Sequence, residues 1–169
     1  LITADMKANG GLLTRDDLAD CAPTDLVPLI GNYRGFEVAT NQLPGGGLMI
    51  LEMLNILEHF DLAAMGHNSA QYIATVAEAM KYATIDKDEF MGDPNFIDVP
   101  QDLLASKAWG AEIAAKIRAG EKADIMRLNL GAPESKDTTH LVVADAAGNV
   151  VNVTHSLGSS SGVITDGLG

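Results

Sequence analysis

The sequence predicts an α+β fold in which a mostly helical segment, residues 1–137, precedes a second segment, residues 138–169, that opens with a β-hairpin. Three observations predict this division. Apolar residues recur at helical spacing before residue 120, and β-branched residues cluster in two short runs after residue 140. Every Lys and Arg lies before residue 138, whereas residues 138–169 carry only Asp145 and Asp166 as charged groups. We therefore predict an organisational boundary near residue 137.

The composition disfavours several classes of function. A formal net charge of −12 opposes nonspecific binding to phosphates, so no nucleic-acid partner is expected. The single cysteine, Cys21, cannot form an internal disulfide or a four-cysteine zinc site. The most apolar run, residues 48–56, contains Glu52 and Asn55 and is too short for a bilayer, so this segment should not insert into a membrane. Because the chain begins at Leu1 without an initiator methionine, we expect an internal piece of a longer protein.

The first elements are short. Thr14, three positions before Asp17, predicts the N-cap of a helix over Asp16–Cys21. A strand or hairpin arm is predicted over Tyr33–Thr40, which is rich in aromatic and β-branched residues and contains one glycine.

Three helices are predicted next. The turn at Pro44–Gly47 opens an apolar helix that reaches about Phe60 and should be buried on most sides. A second helix over Ser69–Ala83 should bury a stripe at helical spacing and expose a polar face. The expected stripe is Ile73, Val76, Ala77 and Met80, and the expected polar face carries Gln71, Glu78 and Lys81.

The third helix is predicted over Gln101–Ala119, with Gly120 as its C-terminal glycine. Trp109 within it is interpreted as an interhelical packing residue. Residues 120–137 contain Gly131, Pro133 and several charges, and are therefore predicted to form an exposed loop.

The hairpin turn predicts a strand register. A two-residue loop at Ala147-Gly148 would require a positive φ at an alanine, whereas a three-residue loop over residues 146–148 requires it only at Gly148. We therefore favour the longer loop, although the shorter one would give a different register. The resulting pairs are Asp145 with Asn149, Val143 with Val151, His140 with Thr154, and Thr138 with Ser156. A further short strand is predicted at residues 163–165.

The same register separates the two histidines of the hairpin. His155 lies opposite Thr139, on the other face from His140, so a metal centre built on both imidazoles is disfavoured. No metal or other cofactor is therefore predicted.

Thr138 is a candidate nucleophile for a reason of general chemistry. A hydroxyl needs a base within reach, and cleavage of the Asp137-Thr138 bond would give this residue a free α-amine with a pKa of about 8. The amine could then accept the hydroxyl proton, and Ser156 across the hairpin could hold the oxygen. The alternative is that Thr138 and Thr139 are simply good strand formers.

Motifs along nearly the whole chain resemble the γ-glutamyltranspeptidase family. The stretch Asp137-Thr138-Thr139-His140 and the hairpin after it are similar to the start of that family's small subunit. Further similar segments occur in order: Gly10–Ala19, Tyr33–Phe36, Leu43–Gly47, Met53–Glu58, Ala77–Lys81, Gly92–Pro94 and Phe96–Pro100.

This resemblance implies an N-terminal-nucleophile hydrolase, an αββα sandwich made as a precursor that cleaves itself before Thr138. Residues 1–137 would be the C-terminal part of the large subunit and residues 138–169 the start of the small one, so the rest of both subunits would be its partners. Thr138 would carry a γ-glutamyl group from glutathione or a related amide to water, an amino acid or a peptide. Ser156 would support the nucleophile, and a bacterial member would be periplasmic or secreted.

The resemblance also has limits. Gly158 stands where the family often has a donor-contacting asparagine, so a related acylase with another amide substrate remains an alternative. The family's donor-binding arginine and its oxyanion glycine pair have no counterpart within residues 1–169, and Gly45–Gly47 matches a structural turn instead. The third hypothesis is a non-catalytic structural or binding homologue.

Overall fold

The computed structural model of the chain describes residues 1–125 and 138–156. It divides into two compact units, one from Thr24 to Arg127 and one that combines Leu1–Pro23 with the chain from Leu128 onward. In chain order the described elements are α1 (Ile2–Ala8), α2 (Arg15–Asp20), β1 (Leu29–Tyr33), β2 (Phe36–Thr40), α3 (Gly47–Leu57), α4 (Leu62–Met65), α5 (Ala70–Phe90), α6 (Gln101–Leu104), α7 (Lys107–Arg118), β3 (Thr138–Ala144) and β4 (Val150–Ser156).

The predicted N-cap of α2 is confirmed. The Thr14 hydroxyl accepts a hydrogen bond from the Asp17 N–H at 3.2 Å, and the Asp17 carboxylate accepts one from the Thr14 N–H at 2.7 Å. This reciprocal capping box satisfies two backbone donors that the helix itself leaves unpaired. The helix begins and ends one residue earlier than predicted, at Arg15 and Asp20.

The strand predicted at Tyr33–Thr40 is the second half of a hairpin. Tyr33 ends β1, and β2 begins at Phe36 after a two-residue turn in which Arg34 and Gly35 have φ values of +51° and +86°. Contacts outside the hairpin hold Arg34 in this unusual conformation. Its N–H donates to Glu58 at 2.7 Å and its guanidinium donates to the Phe60 carbonyl at 2.6 Å.

Helix α3 is buried or half-buried at every position except Ile50, so the prediction of burial on most sides is confirmed, with the fully buried positions along one face. The buried face includes Leu48, Leu51 and Ile56, whereas Ile50 is 45% exposed. The apolar composition of α3 does not distinguish these positions. Its neighbours do: Leu51 lies in one apolar cluster with Leu29 of β1, and Ile56 lies in another with Ala79 of α5 and Ile113 of α7.

The predicted core face of α5 is wrong. Ile73 and Met80 are 53% and 49% exposed, whereas Glu78 is only 7% exposed. Glu78 is buried because it is paired: Lys81 lies 2.8 Å from its carboxylate, and the Ala123 N–H donates to it at 3.1 Å. The inward face of α5 therefore combines the small apolar residues Ala79 and Ala83 with an acid whose burial is compensated by partner groups.

The same contacts correct part of the loop prediction. Ala123 is buried, and its carbonyl accepts a hydrogen bond from the Lys81 ammonium at 2.9 Å. The start of the segment predicted as an exposed loop is thus held against α5, while residues 126–137 lie outside the described residues.

The single helix predicted over Gln101–Ala119 is interrupted and forms α6 and α7. The Ser106 hydroxyl accepts a hydrogen bond from the Trp109 N–H at 3.1 Å and begins α7. The predicted C-terminal glycine is confirmed, since Gly120 has a φ of +82° and donates to Ile117 at 3.0 Å. Glu121 donates to Lys116 at 3.1 Å, which completes a Schellman motif.

The helical unit has two apolar clusters that meet at Trp109. One cluster contains Leu48 and Leu104, and the other contains Ile56 and Ile113. Trp109 packs against both, which confirms its interpretation as an interhelical packing residue. Among the described residues, no helix has both the length and the apolarity that crossing a membrane requires.

We predict that Gly110→Ala destabilises the helical unit. A Cβ at this position would lie 2.8 Å from the carbonyl carbon of Asn55 on α3, so the two helices would have to separate. Overpacking of this kind costs about 1–3 kcal/mol. Urea unfolding of the complete protein that carries this chain measures the loss.

Gly46→Ala is the matched control, because the added methyl meets nothing within 4 Å and the residue has a φ of −78°. Equal unfolding midpoints for the two variants would contradict the predicted close contact between α3 and α7.

Candidate active site

The turn between β3 and β4 has the predicted three-residue form. The Asp145 N–H donates to the Asn149 carbonyl at 3.0 Å, and Gly148 alone among the loop residues has a positive φ, +85°. The Asp145 carboxylate accepts hydrogen bonds from the N–H groups of Ala147 and Asn149, each at 2.9 Å, and from the Asn149 side chain at 2.7 Å. These bonds hold the pKa of Asp145 below its usual value, with the Asn149 side chain as the largest cause.

The predicted strand register is confirmed along the whole hairpin. Thr138 is the first residue of β3 and lies directly opposite Ser156, the last residue of β4. Antiparallel pairs alternate between hydrogen-bonded and non-hydrogen-bonded positions, and the bonded pair at the turn puts Thr138 and Ser156 at a non-hydrogen-bonded position. At such positions the Cα atoms of the two residues lie about 4.5 Å apart.

The histidines of the hairpin lie on opposite faces, as the register predicts. His140 pairs with Thr154 on the face of Thr138, and its Nδ1 lies 2.9 Å from the Thr154 hydroxyl. His155 pairs with Thr139 on the other face. In the ranges that the structure describes, no group of three His, Cys, Asp or Glu side chains is arranged to hold a metal ion.

Both faces of the hairpin carry apolar side chains. Leu141 and Val143 share one face and Val142 lies on the other, and each is between 52% and 56% exposed in this chain. Apolar residues on both faces are typical of a strand covered on both sides by other elements. Thr138 is exposed at the end of this strand.

Two predicted site residues, Asp137 and Gly158, lie outside the described residues, as does the strand predicted at residues 163–165. The turn Gly45–Gly47 behaves as a structural element. A Cβ on Gly47 would lie 2.0 Å from the Asn41 carbonyl oxygen, so the glycine permits a close backbone approach where α3 begins.

The structure also contains a buried acidic pair that sequence reasoning did not single out as a site. Glu52 is fully buried and Asp86 is 7% exposed, and the Trp109 indole N–H donates to both carboxyl groups, at 3.3 Å and 2.9 Å respectively. The available signal was the presence of Glu52 inside the most apolar run of the chain. Its partner could not be identified, because Asp86 lies 34 positions later on another helix.

Comparison with protein families gives a match over the whole chain. The model of the gamma-glutamyltranspeptidase family matches residues 1–169. A glutathione hydrolase proenzyme of Escherichia coli is 41% identical over 165 residues, which cover 95% of this chain and 28% of that protein. An acylase ACY 1 proenzyme of a Pseudomonas species (strain V22) is 40% identical over 171 residues, which cover 99% of this chain and 30% of that protein.

Solved structures agree with the sequence comparison. The gamma-glutamyltranspeptidase of Helicobacter pylori superposes with a TM-score of 0.63 and 38% identity, over 69% of this chain and 34% of that one. The described elements are helices with antiparallel hairpins, so the predicted α+β class and its relation to N-terminal-nucleophile hydrolases are confirmed. The chain spans less than a third of the length of these curated relatives. On the match over residues 1–169, the chain belongs to the gamma-glutamyltranspeptidase family.

Proposed function

We propose that this chain carries the cleavage junction and the nucleophile of an autoprocessing γ-glutamyl transferase and hydrolase. The observation that carries the proposal is the position of Thr138, exposed at the first residue of a strand and paired with Ser156. The proposal is supported by the family match, and by the E. coli relative, which is named a glutathione hydrolase proenzyme. Under this proposal residues 1–137 end the large subunit and residues 138–169 begin the small one.

Maturation would begin at the bond between Asp137 and Thr138. The Thr138 hydroxyl attacks the Asp137 carbonyl carbon, the C–N bond breaks, and the nitrogen takes up the hydroxyl proton and leaves as the α-amine of Thr138. Water then hydrolyses the resulting ester and releases the Asp137 carboxyl group. The products are two chains, of which the second begins with threonine.

The new α-amine supplies the base for turnover. It accepts the proton of the Thr138 hydroxyl as the oxygen attacks the γ-carbonyl of the donor. The donor amide then loses its amine, which leaves with a proton, and a γ-glutamyl ester forms on Thr138. Water completes hydrolysis of that ester, whereas the amine of an amino acid or peptide completes transfer.

Ser156 is assigned a positioning role. The backbone pairing of Thr138 with Ser156 supports this role, in which the hydroxyl at position 156 would hold the Thr138 oxygen. His140 is less suited to act as the base, because its Nδ1 already contacts Thr154. We assign no cofactor to this reaction, since the amine and the two hydroxyls supply the proton transfers.

A second candidate is an acylase that acts on another amide through the same acyl-threonine. Two observations favour it: the acylase ACY 1 proenzyme is as similar to this chain as the glutathione hydrolase, and Gly158 offers no side chain to hold a glutamyl group. A non-catalytic homologue is the third candidate, and it requires that Thr138 have no role in processing.

We predict that Thr138→Ala leaves the complete protein as one uncut chain and lowers amide hydrolysis at least about 1,000-fold, because the nucleophile is lost. Mass measurement of the purified protein checks processing, and the wild-type smaller fragment should begin with threonine. Thr139→Ala is the matched control, since its side chain lies on the other face opposite His155. Normal cutting of Thr138→Ala would favour the non-catalytic reading.

We predict that Ser156→Ala lowers kcat about 10- to 100-fold with KM little changed, because a hydrogen bond to the nucleophile is lost. Ser156→Thr should retain activity because it keeps the hydroxyl. Steady-state kinetics on the processed protein distinguish the two variants. A loss of the same size in both would indicate a packing role for this position.

We predict that the processed protein cleaves a γ-glutamyl anilide faster than a glutaryl anilide, which has the same chain without the α-amino group. Parallel kcat/KM measurements on the two donors check this. A preference for the glutaryl compound would favour the acylase candidate. Gly158→Asn should then shift the ratio towards the γ-glutamyl donor.

A further inference from the structure

The helical unit contains two acidic side chains that meet where three helices join. Glu52 comes from α3 and is fully buried, and Asp86 comes from α5 and is 7% exposed. The indole N–H of Trp109 from α7 lies 2.9 Å from an Asp86 oxygen and 3.3 Å from Glu52 Oε1. This group lies in the helical unit, and the proposed reaction does not use it.

The hydrogen bonds of this group do not balance if both carboxyl groups are ionised. One indole N–H is the donor to two carboxyl groups, and Glu52 Oε2 is buried with no donor group to satisfy it among the described residues. A buried carboxylate with an unmatched oxygen is strongly destabilising. A proton on Glu52 removes one negative charge and turns the unmatched oxygen into a donor.

The surrounding charges do not neutralise a second carboxylate. On α5 the group facing Glu52 is Asp86, and on α7 it is Trp109, whose ring face carries the Lys116 ammonium 5.6 Å from its centre. The acidic residues of β2 and α6, Glu37 and Asp102, are exposed. The titratable residue of β1 is Tyr33, whose ring lies beside the Arg34 guanidinium. Burial first, and then the hydrogen bond and charge of Asp86, raise the pKa of Glu52 to about 9.

We propose that Glu52 and Asp86 share one proton, and that this proton stabilises the contact of α3 with α5 next to Trp109 of α7. We call these three side chains the pH-sensitive lock of the helical unit. Glu52 donates the shared proton and Asp86 accepts it, while the indole N–H holds both groups in place. Loss of the proton leaves two adjacent buried negative charges and loosens the contact between the helices.

The direction of the pH effect follows from proton binding. Unfolded Glu52 titrates at its ordinary value of 4.5, whereas the pKa in the folded protein is about 9. Between these values the folded state holds one proton more than the unfolded state, so stability decreases as the pH rises through this window. The greatest slope is one proton, which is about a tenfold loss in the folding equilibrium constant per pH unit.

The test compares wild type with Glu52→Gln in the complete protein, with thermal midpoints measured from pH 6 to pH 9. Glutamine keeps the shape and a donor to Asp86 but cannot ionise. The wild-type midpoint should fall relative to that of Glu52→Gln as the pH rises. Glu89→Gln and Asp88→Asn change exposed acids of α5 and should follow the wild-type profile.

A second measurement detects loss of the shared proton in the wild-type protein, through the indole signal of Trp109. In protein labelled with ¹⁵N-tryptophan, the indole signal of Trp109 is assigned by its absence from Trp109→Phe. It should shift on raising the pH from 6 to 10 in wild type and in Glu89→Gln. Parallel thermal profiles for wild type and Glu52→Gln, or an indole signal that does not move over this range, would each overturn the proposal. Neither readout depends on processing or on activity, so it is distinct from the tests of Thr138.

Discussion

The hairpin depends on one backbone dihedral angle. Gly148 has a φ of +85°, a region that a Cβ makes costly, so the turn places this residue at the third loop position. The Asp145 carboxylate holds the same turn by accepting two backbone N–H groups and one side-chain amide. Because side chains alternate with period two along a strand, the turn fixes which residues share a face up to Thr138. A shift of one residue would separate Thr138 from Ser156 and destroy the proposed pair.

The helical unit is organised by polar groups within its core. Asn55 on α3 donates to the Ala105 carbonyl at 2.8 Å, beside the point where Gly110 lets α7 approach. Glu58 accepts the Arg34 N–H and lies 2.5 Å from the Lys107 ammonium, which joins the first hairpin to α3 and α7. Lys107, the larger cause, and the Arg34 N–H hold the pKa of Glu58 below its ordinary value. These contacts are specific in direction, so they select one packing among several that apolar burial would allow.

Two kinds of acid therefore occur in this chain. Most of the negative charge is on exposed side chains, whereas Glu52, Asp86 and Glu78 are buried. Glu78 keeps its charge because Lys81 and the Ala123 N–H compensate it; burial opposes this, and the net effect lowers its pKa. Among the described residues, the polar groups beside Glu52 are another acid and an indole, so its pKa is raised instead. The charge of the nearest partner thus decides the state of a buried acid. Glu78 lies beside a cation and stays ionised, whereas Glu52 lies beside another acid and holds a proton.

The sequence by itself determined the elements whose causes are local. The capping box at Thr14, the C-terminal glycine of α7 and the hairpin register follow from side chains within a few positions, so they were predicted correctly. Tertiary structure decided the buried face of α5 and the pairing of Glu52 with Asp86. These features depend on groups that are distant in the chain. A partner group can make burial favourable for a polar side chain, and packing elsewhere can leave an apolar side chain exposed to water. The pairing of Thr138 with Ser156 was predictable because it follows from counting residues outward from the turn along the two strands.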